Sequence, residues 1–177
     1  MIASATNINT GATLINNTDI TSSSGVSNSG TFNNNAQAPG VVNNSGATFN
    51  NSTGATAASL DNSGTANNDG TITGTVTNTA GTFTNTATGT TGDWTNGGTV
   101  SNAGTMGNGT NTGNFDNTGT TGDVTNAGTF TNDSGGTTGA INNTGGFTNA
   151  AGATTGDVTY NNFVIDNSGT MGTIQSN

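Results

Sequence analysis

The stretch that decides the fold is Val124-Thr125-Asn126-Ala127-Gly128-Thr129-Phe130-Thr131-Asn132. It reads apolar-x-Asn-x-Gly-Thr-apolar-x-Asn. The same nine-residue pattern runs from Val26 to Asn34, from Leu60 to Asn68 and from Trp94 to Asn102. Variant copies lie between these, at Val42 to Phe49, Val76 to Phe83 and Ile141 to Phe147. The second apolar residue then falls at Phe32, Phe49, Ala66, Phe83 and Val100, one every 17 residues, and Phe130, Phe147 and Val164 keep the same step. Phe115 sits between Val100 and Phe130 with two steps of 15, which marks two shortened coils. With Ile8 to Leu14 as an early copy, the chain holds roughly nine to ten units of one repeat.

A unit of this length is too short for a helix-turn-helix repeat, and its apolar residues do not follow the 3.6-residue helical period. Gly, Asn and Thr in series are poor helix formers. Short alternating triplets bounded by Gly suit short strands and tight turns. One such coil cannot bury its own apolar side chains, but a stack of equivalent coils can. The fold class expected is therefore all-β: a parallel β-helix, or β-solenoid, with coils of about 17 residues, drawn here as right-handed. Ten coils at the inter-strand spacing of about 4.8 Å make a rod of roughly 50 Å. The whole chain, residues 1–177, reads as one repeat domain. Residues 1–25 are an irregular first coil or cap, 26–157 the regular repeats and 158–177 a terminal coil.

Each column has a reason. In-register stacking places like residues on like, so charged columns repel, and only nine residues in 177 are charged, all of them Asp. Alternation sends Phe32, Phe49, Phe83, Val100, Phe115, Phe130 and Phe147 inward as a core column. Thr31, Thr48, Thr65, Thr82, Thr99 and Thr129, one residue earlier, form an outward Thr column. Asn28, Asn44, Asn62, Asn78, Asn96, Asn126 and Asn143 occupy equivalent places, and their carboxamides, each both donor and acceptor, suit a continuous hydrogen-bonded ladder. The glycines that follow suit corners where a side chain would clash. The shared segments Gly89-Thr-Thr-Gly-Asp93, Gly119-Thr-Thr-Gly-Asp123 and Ala153-Thr-Thr-Gly-Asp157 read as connectors.

Composition narrows the function. The chain has no Lys, Arg, His or Cys and a net charge of −9. Nothing pairs with phosphates, which argues against nucleic acid, and no apolar run approaches a membrane span, which argues against insertion. Met1-Ile2-Ala3-Ser4-Ala5 has neither the basic nor the apolar region of a signal peptide. The repeat starts and stops mid-pattern, which suggests a fragment or a polymerising unit.

The motif Val-x-Asn-x-Gly-Thr-Phe-x-Asn resembles the repeats of bacterial autotransporter passenger domains and large repetitive surface adhesins, over about residues 8–174. The resemblance implies a parallel β-helix exported to the cell surface. The coils are shorter than is usual there, and no membrane barrel or export signal is recognisable.

The expected function is a non-enzymatic structural role, secreted or at the cell surface: an adhesin stalk, or a fibre subunit that associates head to tail with itself. Uronate lyase chemistry needs cations the chain lacks, and glycoside hydrolysis needs two carboxylates flanking one bond. Asp116 and Asp123 could meet on neighbouring coils, but they lie in Gly-Thr-rich connectors with no aromatic platform, and solvated turn positions are expected for them. No catalytic residue, cofactor or metal ligand is assigned. Calcium is a minor alternative, because Asp93, Asp123 and Asp157 share a position, but equivalent Asp two coils apart stand about 9.6 Å from each other. Ice binding by an outward Thr face is the sharpest alternative, with Thr-Phe-Thr at 82–84 and 129–131 and Thr71-Ile-Thr73; its neighbouring column is mixed, and Gly146 interrupts the Thr column itself. A carbohydrate-binding or carbohydrate-active β-helix, with surface glycans as partners, is the second alternative. Trp94 is expected in the core rather than as a sugar platform.

Overall fold

The computed structural model describes residues 5–175. Met1 to Ser4 of the expected first coil, most of the segment examined for a signal peptide, and Ser176 and Asn177 of the terminal coil lie outside the described residues. Twenty-nine strands and no helix occur among the described residues. They form three parallel sheets, two of ten strands and one of nine. One coil shows the plan. Val76–Asn78 lies in the first sheet, Thr82–Asn85 in the second and Thr90–Thr91 in the third, and the chain re-enters the first sheet at Trp94–Asn96. Each strand pairs in register with its equivalents one coil below and one coil above. The molecule is a β-solenoid of about ten coils.

The third sheet comes from the segments that the sequence presents as connectors. Thr90–Thr91, Thr120–Thr121 and Thr154–Thr155 are strands. Two residues give a single out-in alternation, too little for a period to be read from them.

The 17-residue period is a mean rather than a fixed unit. Asn96, Asn111 and Asn126 follow one another every 15 residues. Such a coil consists of Gly109–Asn111, Asn114–Asn117 and Thr120–Thr121, joined by corners of two residues each. Longer coils keep the strands and lengthen the corners. Asn43 and Asn62 are 19 apart because four residues fill each of two corners of that coil. In the first of these, Gly46 takes φ 78°, a left-handed conformation that favours glycine, and the Ala47 N–H donates to the Asn44 carbonyl at 3.0 Å.

This corner corrects one expected ladder member. Val41 and Asn43 point inward, while Val42 is 44% exposed. The Asn44 amide instead donates to the Ser29 hydroxyl at 3.0 Å. Val41-x-Asn43 and Val42-x-Asn44 both satisfy apolar-x-Asn, and a one-residue slip exchanges the faces of a strand. The long corner settles the register. A similar shift occurs near the end of the chain. Ile165, not Val164, pairs with Phe147, because the pairing of Ile141–Asn143 with Val158–Asn161 contains an irregularity that takes up one extra residue.

The core is a narrow column fed by one inward apolar position per sheet. Volumes compensate within a coil. Leu60, Ala66 and Ile72 share one coil; Val76, Phe83 and Thr91 the next; Trp94, Val100 and Met106 the one after, and all nine are buried. Where the second sheet supplies only Ala66, the third supplies Ile72. Pairing large residues with small ones is how an interior of fixed width is filled without strain. Aromatic rings stack along the second sheet, with centroids 5.5 Å apart for Phe32 and Phe49 and 5.1 Å for Phe115 and Phe130.

Candidate functional site: the stacked columns and the two ends

Two amide ladders run through the stack. In the first, each side-chain amide donates from one coil to the Oδ1 of the next. The series passes from Asn28 through Asn43, Asn62, Asn78, Asn96, Asn111, Asn126 and Asn143 to Asn161, at 2.7 to 3.0 Å. Of the residues expected there, Asn28, Asn62, Asn78, Asn96, Asn126 and Asn143 occupy it; Asn43 takes the place of Asn44. The same amides also bridge the corner, as when Asn78 donates to the Thr99 carbonyl at 3.1 Å and Asn96 to the Asn114 carbonyl at 2.9 Å. Their oxygens close the turn in some coils: Asn96 Oδ1 accepts from the Gly98 N–H at 3.0 Å. Asn therefore serves three neighbours at once, which no apolar residue can do.

The second ladder has no counterpart in the sequence reading. It runs from Asn16 through Asn34, Asn51, Asn68, Asn85, Asn102, Asn117, Asn132 and Asn149 to Asn167, with the same direction and similar lengths. Each member from Asn16 to Asn149 also donates across the next corner to the first residue of a third-sheet strand, as Asn102 does to the Thr120 carbonyl at 3.1 Å. The signal was the closing Asn of the nine-residue motif, which repeats as faithfully as the first. The first ladder is buried from Asn28 to Asn143 and the second from Asn16 to Asn149, while Asn161 is half-buried and Asn167 exposed; no buried side-chain nitrogen or oxygen among the described residues lacks a partner.

The Asp of Thr-Thr-Gly-Asp has a local structural use. Asp93 Oδ1 accepts from the Asn108 N–H at 3.0 Å, Asp123 Oδ1 from the Ala140 N–H at 2.8 Å and Asp157 Oδ1 from the Thr173 N–H at 2.8 Å. Asn108 fills the coil between Asp93 and Asp123, and its Oδ1 accepts from the Asp123 N–H. A Cβ on Gly139 would collide with Asp123 Oδ1, so the Gly of one coil makes room for the Asp of the coil before. Replacing Asp123 by Ala is expected to lower stability by about 1 kcal/mol, the worth of one such hydrogen bond, whereas Asp123→Asn keeps the acceptor; denaturant midpoints of the two variants check this. Asp116 lies on the outward face of the second sheet and Asp123 at the corner before the first, so the two carboxylates are not brought onto one face. Among the described residues no group of three or more His, Cys, Asp or Glu could hold a metal ion.

Outward columns cover the sheets. Thr31, Thr48, Thr65, Thr82, Thr99 and Thr129 open their second-sheet strands and point away from the buried Phe column, with Asn114 between Thr99 and Thr129 and Gly146 after Thr129. The core column contains Phe32, Phe49, Phe83, Val100, Phe115, Phe130 and Phe147, all buried. A second Thr column belongs to the third sheet, where after Gln37 it is unbroken: Thr56, Thr71, Thr90, Thr105, Thr120, Thr137, Thr154 and Thr170. Trp94 is 3% exposed and its indole N–H donates to the Gly107 carbonyl at 2.9 Å. Beside it runs a shallow groove of about 510 Å³, lined by Asn108, Thr110, Asp123, Thr125 and Asn142 among others.

The ends differ in their state of closure. In the first coil the ladder position of the first sheet is held by Ile8, not Asn. At the far end Asn161 turns its amide back to the Phe163 carbonyl at 2.9 Å. The chain then crosses the first sheet once more: the Val158 N–H donates to the Thr173 carbonyl at 2.8 Å, the Gln175 N–H donates to the Val158 carbonyl at 2.9 Å, and Ile174 pairs with Val158. The second ladder has no such closure. Asn16 Oδ1 and the Asn167 amide have no hydrogen-bond partner among the described residues. Leu14, Ile20, Ile165 and Met171, at the ends of the apolar columns, are only partly buried.

The chain matches no protein-family profile, no curated protein and no solved structure.

Proposed function

We propose that this solenoid is a non-enzymatic structural element of a bacterial surface or extracellular protein, acting as a stiff adhesin shaft or as the subunit of a fibre that grows end to end. The observation that carries the reading is the second amide ladder, continuous from Asn16 to Asn167, whose two end members have an unused acceptor and donor among the described residues. Three in-register sheets and two ladders along one axis make a rod whose length scales with coil number and whose stiffness does not depend on a thick core. Exposed polar rows and the absence of cations suit a surface element that binds neither nucleic acid nor acidic lipid. The secreted or cell-surface location follows from the resemblance of the repeat and belongs to the same proposal. The Asp carboxylates at the third corner are engaged by backbone N–H groups, which supports a role in the frame rather than in chemistry or calcium binding.

A second reading is favoured by one observation, the unbroken Thr column of the third sheet. Such a row could order water at an ice surface, although among the described residues no second hydroxyl row accompanies it on its own sheet. Electron microscopy of the purified chain over a concentration series tests the main reading. Filaments whose coils stack along the filament axis, giving an axial reflection near 4.8 Å, are the expected result for a fibre subunit. Discrete rods of about 50 Å at every concentration would leave only the shaft form of the proposal. Thermal hysteresis in the same sample would transfer the assignment to ice binding.

A further inference from the structure

We infer that residues 173–175 are a strap that holds, on the first sheet, the place which the Thr6–Ile8 strand of a second copy takes when copies join. The inference rests on the fibre form of the reading above.

The argument is one of matched and unmatched edges. In the second sheet the last strand, Ile165–Asn167, presents an apolar residue, an Asp and an unengaged amide donor. The first strand of that sheet, Thr13–Asn16, presents Leu14 and an unengaged amide acceptor, Asn16 Oδ1. Every link of this ladder runs donor to acceptor from the earlier coil to the later one. Asn167 of one copy can therefore donate to Asn16 of the next in the same sense, with Ile165 against Leu14 in the apolar column. In the third sheet Met171 would meet Ile20, whose N–H already bonds the Gln37 carbonyl as a strand of that sheet would. The partner is thus a second copy in head-to-tail order. Two tails or two heads would set donor against donor or acceptor against acceptor.

Among the described residues, only the first sheet is obstructed. A copy seated at the level of the open second-sheet edge would bring its Thr6–Ile8 onto Val158. That place is held by Thr173, Ile174 and Gln175 through two backbone hydrogen bonds. Ile174 is 49% exposed, so the strap covers Val158 while burying little of itself. Exchange of the strap for an incoming strand trades two backbone bonds for a similar set, and adds the open second and third sheets. Joining then proceeds slowly at first, limited by release of the strap.

The test uses the full chain, the variant Gln175→Pro, and the variant Asn167→Asp, each followed by light scattering and electron microscopy in moderate salt to screen the net charge of −9. Proline removes the N–H that donates to Val158. Aspartate keeps the acceptor for Asn149 but removes the onward donor and sets a carboxylate against Asn16 Oδ1. The expected result is filament growth after a lag for the full chain, a lag shortened about tenfold for Gln175→Pro, and no elongation for Asn167→Asp, with unchanged circular dichroism in all three. A chain ending at Gly172 gives a second way of removing the strap and is expected to match Gln175→Pro. Equal lags for the full chain and both strap variants would overturn the strap and leave the fibre reading standing. Rods of single copies at every concentration in all variants would overturn both.

Discussion

Asn96→Leu is expected to cost about 3–5 kcal/mol, because a buried hydrogen-bonded group is removed from the middle of a network whose members depend on one another. Asn96 accepts from Asn78 and from the Gly98 N–H, and donates to Asn111 and to the Asn114 carbonyl. A Leu, similarly branched but bulkier, restores none of these. Asn111 Oδ1 loses its donor, and the half-buried Gly98 N–H loses its acceptor at a corner. In a stack whose stability is a sum over coils and their interfaces, a defect in the middle also divides the molecule. Equilibrium unfolding should broaden, and hydrogen exchange should show the coils on either side of Asn96 opening separately. A loss below about 1 kcal/mol with one sharp transition would mean that the ladder is decorative and that the backbone sheets alone hold the stack.

The second large effect concerns Gly109. This residue stands in the apolar column of the first sheet, where its neighbours are Trp94 and Val124. It is Gly because the Trp94 ring lies over it; a Cβ there would fall within the indole. The ring centroid of Trp94 is 4.4 Å from that of Phe115, in the same coil as Gly109, so Trp94 serves as the core of two coils. Gly109→Val is expected to cost more than about 3 kcal/mol by overpacking and by loss of the indole hydrogen bond. Trp94→Val alone leaves a cavity and costs about 3–5 kcal/mol. The double variant gives each coil its own Val, as in the flanking coils with Val76 and Val124, and should recover most of the loss. Thermal melts of the two single variants and the double form the cycle. Simple additivity would show that the two coils do not share the ring.

How far these features could be read in advance varies with position. Phe32, Phe83 and Phe130 declare the inward column of the second sheet, because a large apolar residue follows an invariable Gly-Thr pair at those places. Asn28, Asn62 and Asn126 are equally plain, since each precedes the shortest corner. Asn43 is hidden by Val42 and Asn44, which imitate the motif one residue on; only the length of the following corner distinguishes them. The second ladder is written in the sequence at Asn34, Asn68 and Asn132, yet an Asn at a strand end has an ordinary use in turns, and that use masks its stacking. The third sheet is invisible for a different reason. Thr120-Thr121 buries its second residue, but a buried Thr carries no apolar signature. The same difficulty attends Trp94 and Gly109: as letters they break the column, and only as volumes do they complete it.

The common direction of the ladder amides has an electrical consequence. In a parallel sheet, successive backbone carbonyls along a strand point alternately up and down the stack, and their moments largely cancel. The side-chain amides do not alternate. Every link from Asn16 to Asn167 and from Asn28 to Asn161 runs the same way, and each amide unit carries a dipole of about 3.5 D. The solenoid is therefore an electrically polar rod, negative at the end where Asn16 turns its oxygen outward and positive at the end where Asn167 turns its amide. Antiparallel side-by-side pairs of such rods would be favoured over parallel ones, and a rod lying in an applied field would align along its own axis, as a helix does, without containing a helix.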